Sequence, residues 1–439
     1  MTIPTHTTLP TEAPARPRVV QGRLRCGEPP TEPRSPLFVG ALGFAQFGLF
    51  VALLGPVIVS MALKVNTLLA SPTERTSALG VVLGVGAVAA FAGNALFGRL
   101  SDRTTSRLGR RRPWIVGGVL VMAAALWFIA QAGSVPALAA GWFVAQLGAN
   151  ACFAAFTATL ADQLPQRQYA KVSAMVGIMQ NVGVLAASQI ASRLTDSMLG
   201  LFLVPAAIGV VGMVAYAVVL PDPVLEQRPA RLDLRTLAGA FWVNPLRHRD
   251  FGFAWWSRFL IILSSFLFTT FRLNFLVDRI GLKDAAAAQA IATGILVYTV
   301  VLVLAGWAAG VVSDRTGRRK TLVAASTGLF GVGVAVLAHT HTLTGFYLVE
   351  AVMGLAYGIY MSVDMALVLQ VLPNPQDSGK DLGVFNMANA IPQSAAPFLG
   401  SLLLGVGAAA QPSYTLLLWT AAVVAVVGAL VILPVKKVK

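Results

Sequence analysis

The stretch GRLSDRTTSRLGRRRPW, residues 98–114, is echoed by GVVSDRTGRRK, residues 310–320, with Asp102 and Asp314 lying 212 residues apart. Each copy follows a long apolar run and gathers an acid and several arginines into a short turn. A second echo has nearly the same offset: TLADQLP at 159–165 closes one apolar run, and LVLQVLP at 367–373 closes another 208 residues later. A chain that repeats itself at this period reads as two copies of one unit joined in series.

The composition says where such a chain lives. With 56% hydrophobic residues, 12% charged residues and a mean hydropathy of +0.73, it is too apolar for an ordinary soluble protein. A membrane span needs roughly 20 apolar residues. Twelve runs qualify: 38–62, 76–99, 114–133, 136–161, 172–191, 199–220, 251–276, 284–312, 320–338, 343–372, 383–407 and 413–434. The expected fold is an all-α membrane protein with twelve transmembrane helices in two pseudo-symmetric halves. The expected division is a tail over 1–36, a six-helix bundle over 37–220, a linker over 221–250, a second bundle over 251–434 and a short tail over 435–439.

The formal charge is +15, and its distribution matters more than its size. Of the 33 Lys and Arg residues, 26 fall on the side that holds both termini and 5 on the other, while Arg258 and Arg272 lie within a span. This asymmetry is the positive-inside pattern. It predicts cytoplasmic termini and a multi-pass protein of the plasma (inner) membrane, and it leaves no basic patch for nucleic acid. Residues 1–36 are rich in Pro, Thr and Arg and lack the apolar stretch of a signal peptide, so they read as a disordered cytoplasmic tail. Cys26 and Cys152 are placed too differently to pair, and no disulfide is expected. The linker carries an apolar pattern at Leu234, Leu237, Phe241 and Trp242, and reads either as an interfacial helix or as a solvated tether.

The pattern G-x-x-x-D-R-x-G-R-R resembles the signature of the major facilitator superfamily. Gly310, Asp314, Arg315, Gly317, Arg318 and Arg319 match it position by position. In the first half Gly98, Asp102 and Arg103 match, TTSRL intervenes, and Gly109, Arg110 and Arg111 follow. That interrupted form, with GVFNMANAIPQ at 383–393, resembles the glycoside-pentoside-hexuronide:cation symporters and the sucrose transporters among them. The fifth span and the LPDPVLEQRP after the sixth do not resemble the motifs of drug antiporters or facilitative sugar porters. Physically, an acid at a helix end beside a basic turn can accept bonds from a neighbouring helix's amides while the arginines bind acids opposite. The motif thus reads as a cytoplasmic latch, or else as arginines that only fix topology.

The run GIYMSVDMALVLQVLP, residues 358–373, puts Asp364 inside a span, where an unpaired charge costs at least ~2.5–3.5 kcal/mol. Two turns of helix take about 7.2 residues, so Glu350, Tyr357 and Asp364 share one face of the tenth span. Arg258, Ser265 and Arg272 do the same in the seventh, which runs the opposite way. Arg258 therefore meets Asp364 in depth, and Arg272 meets Glu350. The resemblance places spans one, four, seven and ten around a central cavity. Arg258–Asp364 then reads either as a static pair or as a coupling site whose protonation frees Arg258, with Tyr357 and Tyr360 beside the solute. For Arg272–Glu350, nearer the outer surface and able to snorkel, the static pair is the favoured reading, with a place on the coupling and substrate path as the other. Asp162, in TATLADQLP, is a second coupling candidate or a solvated helix end near Lys171.

Polar, uncharged groups recur near one face in the fourth span (Gln146, Asn150, Thr157) and the eleventh (Asn386, Asn389, Gln393), as either cavity lining or interhelical bonds. Four scattered histidines, no Cys/His cluster and no phosphate loop leave no sign of an enzyme, a metal site or a cofactor. The expectation is a monomeric secondary transporter that takes up a small polar solute such as a glycoside or disaccharide together with a cation, the proton rather than sodium. The alternatives are a metabolite or drug exporter, and a membrane sensor or assembly factor that moves nothing.

Overall fold

The structure, a computed structural model, describes residues 32–222, 224, 247–372, 378–406, 412–436 and 438. The expectations for residues 1–31 and for most of the 221–250 linker lie outside the described residues. Twelve helices follow in order: α1 (Pro36–Leu68), α2 (Pro72–Asp102), α3 (Arg112–Gln131), α4 (Val135–Gln163), α5 (Gln166–Arg193), α6 (Met198–Val219), α7 (Arg249–Asp278), α8 (Asp284–Thr316), α9 (Arg319–Leu337), α10 (Leu343–Val371), α11 (Ser378–Gly405) and α12 (Tyr414–Val431). All but α11 are long and apolar enough to cross a membrane among the described residues.

Their ends are written in the sequence. Ser35, Ser134, Ser197 and Thr342 each precede a helix and accept a bond from an amide of its first turn. At the start of α3 a remote acid does this work: Asp222 Oδ2 accepts the Arg111 and Arg112 amides at 2.7 and 2.8 Å. Gly109 makes room for that carboxylate, since its φ of 99° and the adjacent Asp222 leave no place for a side chain. Pro56 would break α1, and the backbone absorbs it in one π-turn over Pro56–Ser60, where the Ser60 hydroxyl donates to the Leu201 carbonyl at 3.2 Å.

The packing pattern of the first half recurs in the second. α1 packs on α5 and α6, α2 on α4, and α3 on α4 and α6; correspondingly α7 packs on α11 and α12, α8 on α10, and α9 on α10 and α12. The halves meet along α2 with α11 and α5 with α8. Glycines allow the close approaches that lipid alone would not drive. A Cβ at Gly358 would lie 2.9 Å from Leu302 Cα and nearer still to its carbonyl oxygen, and Gly354 is similarly close to Tyr298.

Let the terminal side be the one where α1 begins and α12 ends, and the far side the other. Among the described residues, three hydrogen bonds join the halves on the far side. Asn66 donates to Asp284 at 3.1 Å and accepts from Asn274 at 3.4 Å, and Gln189 donates to the Ala292 carbonyl at 3.0 Å. Gly80 and Ser401 press α2 against α11 in the same region. On the terminal side the ion pairs stay within one half. The molecule is closed on its far side.

Two outcomes follow. Gly358→Leu overpacks the α8–α10 seam at a cost of about 1–3 kcal/mol, so it lowers the melting temperature of the purified protein, whereas Gly117→Ala, with no atom within 4 Å of its added methyl, does not lower it. Asn66→Ala loosens the far-side closure and speeds thiol labelling of a Ser401→Cys probe at the seam; an unchanged labelling rate would show that Asn66 holds nothing shut.

Candidate functional site

α7 and α10 carry the charges into the bundle. Arg258 Nη1 lies 3.0 Å from Asp364 Oδ2, with side-chain exposures of 9% and 6%. Asn389 of α11 accepts from Arg258 Nε at 2.9 Å, and the guanidinium stands over the Phe385 ring at 4.8 Å. A buried pair is held well only when its remaining donors and acceptors are met, and here both the amide and the ring face contribute. Tyr360 is buried beside Asp364, with its hydroxyl in no well-formed hydrogen bond. Tyr357 is half-buried, its ring 5.7 Å from that of Tyr360.

About four turns toward the far side, Arg272 Nε lies 3.2 Å from Glu350 Oε1. Both side chains are buried. Glu350 is 1% exposed, because it sits about seven residues inside α10 and faces the closed far half. Arg272 stacks over Phe268 at 5.1 Å.

On the terminal side, Arg111 joins two helix ends. Its guanidinium reaches Asp102 at 2.5 Å, Asp162 at 3.0 Å and the Ser101 hydroxyl at 2.6 Å, while Arg110 binds the other Asp162 oxygen at 2.7 Å. Asp162 thus stands among the motif arginines, and Lys171 is not its partner in either ion pair. Arg34 ties the segment before α1 to the same corner, donating to the Gln163 side chain at 2.5 Å and to its carbonyl at 2.9 Å.

Among the described residues the second copy of the motif shows no such closure. Asp314 is exposed and forms no ion pair among the described residues, and Arg319 reaches only the Ala366 carbonyl at 3.3 Å. The acid is missing at the matching place, where Gln370 stands for Asp162. Gly317 ends α8 at φ 66°, Gly310 faces Ser362, Gly98 faces Ala154, and Arg315 and Arg318 are exposed. Arg103 closes α2.

In α4, Asn150 donates to the Gln146 carbonyl at 2.9 Å and to its side chain at 3.3 Å, and Asn94 of α2 reaches Asn150 at 3.5 Å. Thr157 bonds back to the Phe153 carbonyl and Gln393 is exposed. The side chain of Asn386 lies outside the described residues. Sequence reasoning missed Asn94 and Phe385. A lone amide in the apolar text of α2 was a readable signal for the first, while the second, one more phenylalanine, carried none.

Removing one partner of the buried pair leaves the other charge alone, at a cost of about 3–5 kcal/mol. Arg258→Gln therefore lowers thermal stability sharply, and adding Asp364→Asn restores most of it; equal melting temperatures for single and double variants would contradict the pairing.

No curated protein matches the chain by sequence. Among solved structures, that of the nucleoside transporter NupG aligns with a TM-score of 0.68 at 16% identity, over 92% of this chain and 100% of that one. A bacterial homolog of the human lysosomal transporter Spinster, in an inward-facing and unoccupied conformation, aligns with a TM-score of 0.65 at 14% identity, over 91% of this chain and 95% of that one. At such identities the likeness is one of fold. The family model of the Major Facilitator Superfamily matches residues 37–309 and again 255–439, overlapping segments that together cover nearly the whole sequence. The chain belongs to the Major Facilitator Superfamily of membrane transporters.

Proposed function

We propose that this transporter takes up a small polar solute, a glycoside or disaccharide, in symport with protons, by rocking its two halves around a site between α7, α10 and α11. The observation that carries this reading is the buried Arg258–Asp364 pair, in direct contact, with the Arg258 Nε held by a replaceable amide, Asn389, and the Tyr360 hydroxyl beside the acid. A solute hydroxyl can take the place of the carboxylate on Arg258, and a proton on Asp364 then neutralises the acid that is left over. Solute and proton thereby favour the same state, which is the requirement for coupling.

The terminal-side latch of Asp102, Arg110, Arg111 and Asp162 would hold the first half rigid as it turns. The one-sided distribution of Lys and Arg supports cytoplasmic termini in the plasma membrane, and the far-side closure then corresponds to an inward-facing state. A monomer contains the whole arrangement. The likeness to NupG adds nucleosides, themselves N-glycosides, to the solutes worth testing.

In proteoliposomes with an imposed inward proton gradient, the wild type accumulates a labelled member of a disaccharide, glycoside and nucleoside panel. Asp364→Asn loses that accumulation while it still exchanges solute. No accumulation of any panel member by stable wild-type protein would overturn the uptake reading and favour export.

A further inference from the structure

The two buried pairs differ in one respect that burial alone does not reveal. Arg258 Nε donates to Asn389, whereas both carboxylate oxygens of Glu350 and the Nε of Arg272 lack hydrogen-bond partners among the described residues. The 3.2 Å approach of Arg272 to Glu350 is thus an ion pair without an aligned hydrogen bond, and the guanidinium lies over Phe268 instead of forking onto the acid. A carboxylate 1% exposed and short of donors is poorly held as an anion.

The surroundings offer little other charge. Arg272 faces Glu350 from α7, Tyr298 stands within electrostatic reach on α8, and Tyr357 follows two turns along α10 itself. Gly294 of α8 and Phe346 complete the contact, while the part of α9 against this stretch of α10 brings Gly333. Glu350 precedes Asp364 by 14 residues, about 21 Å along the helix, and it lies in the far half, on the side away from the termini.

We infer that Glu350 is a second proton-binding site, separate from the Arg258–Asp364 site and loaded from the far side. When the far side opens, a proton from water forms an O–H bond on one carboxylate oxygen. The neutral acid keeps its carbonyl oxygen as an acceptor for Arg272, whose charge retains the ring face of Phe268. On release the proton returns to water on the other side, and Arg272 again faces the anion. This inference deepens the symport reading and rests on it for direction, while the binding of the proton itself does not depend on any solute.

Infrared difference spectroscopy on the reconstituted full chain, titrated without solute, tests it. The expected result is a protonated-carboxyl C=O band that persists in Asp364→Asn and vanishes in Glu350→Gln. A spectrum unchanged by Glu350→Gln at every pH overturns the inference. Should Glu350→Gln fail to fold because Arg272 is stranded, the Arg272→Gln/Glu350→Gln double variant removes both charges and must show the same loss of the band. A solute panel that is never transported would defeat the uptake reading and leave this result standing, so the two failures are distinguishable.

Discussion

A bilayer offers no water to a charge inside it, and that constraint explains most of what distinguishes this molecule. Arg258 and Asp364 would each cost at least ~2.5–3.5 kcal/mol alone near the membrane centre. Together they define how α7 and α10 must face each other, and Asn389 draws α11 into the same arrangement. The cost of separating the pair is what would make it a switch in the proposed symport, because anything that substitutes for one partner would change which packing of the helices is stable.

The two halves share an architecture and divide the chemistry. The first holds an amide cluster between α2 and α4, Asn94, Asn150 and Gln146, and a charge latch at its terminal-side corner. The second holds both buried ion pairs, and it has Gln370 where the first half has the latch acid Asp162. Duplication produced two matching frames, and function requires them to differ. A rigid half with one firm corner and a half with charges in its core are suited to move against each other as bodies.

The fold was legible because its signals are coarse. Hydropathy placed every helix to within two turns, and the echo of Asp102 at Asp314 announced the duplication. The depth of each charge was legible too, since antiparallel helices with charges at seven-residue spacing must align Arg258 with Asp364 and Arg272 with Glu350. What spacing could not give was the quality of each contact. It left open how deeply Glu350 is buried, because burial near a helix end depends on which side of the molecule is closed. It also left Asp162 between solvation and coupling, because the arginines that bind it come from a turn some fifty residues earlier. Hydrogen-bond geometry is set by third partners such as Asn389, Phe385 and Phe268, and no periodicity announces those.

The central claim is that the halves rock about these buried charges, and distances between the halves test it most directly. With Cys152 and Cys26 replaced, spin labels at Asp196 and Lys283 report the far side, and labels at Arg107 and Arg318 report the terminal side. The account predicts that lowering the pH in the presence of a bound solute changes the two distances in opposite senses, one side opening as the other closes. Two distances that stay fixed under every condition, in protein that still binds solute, would contradict it.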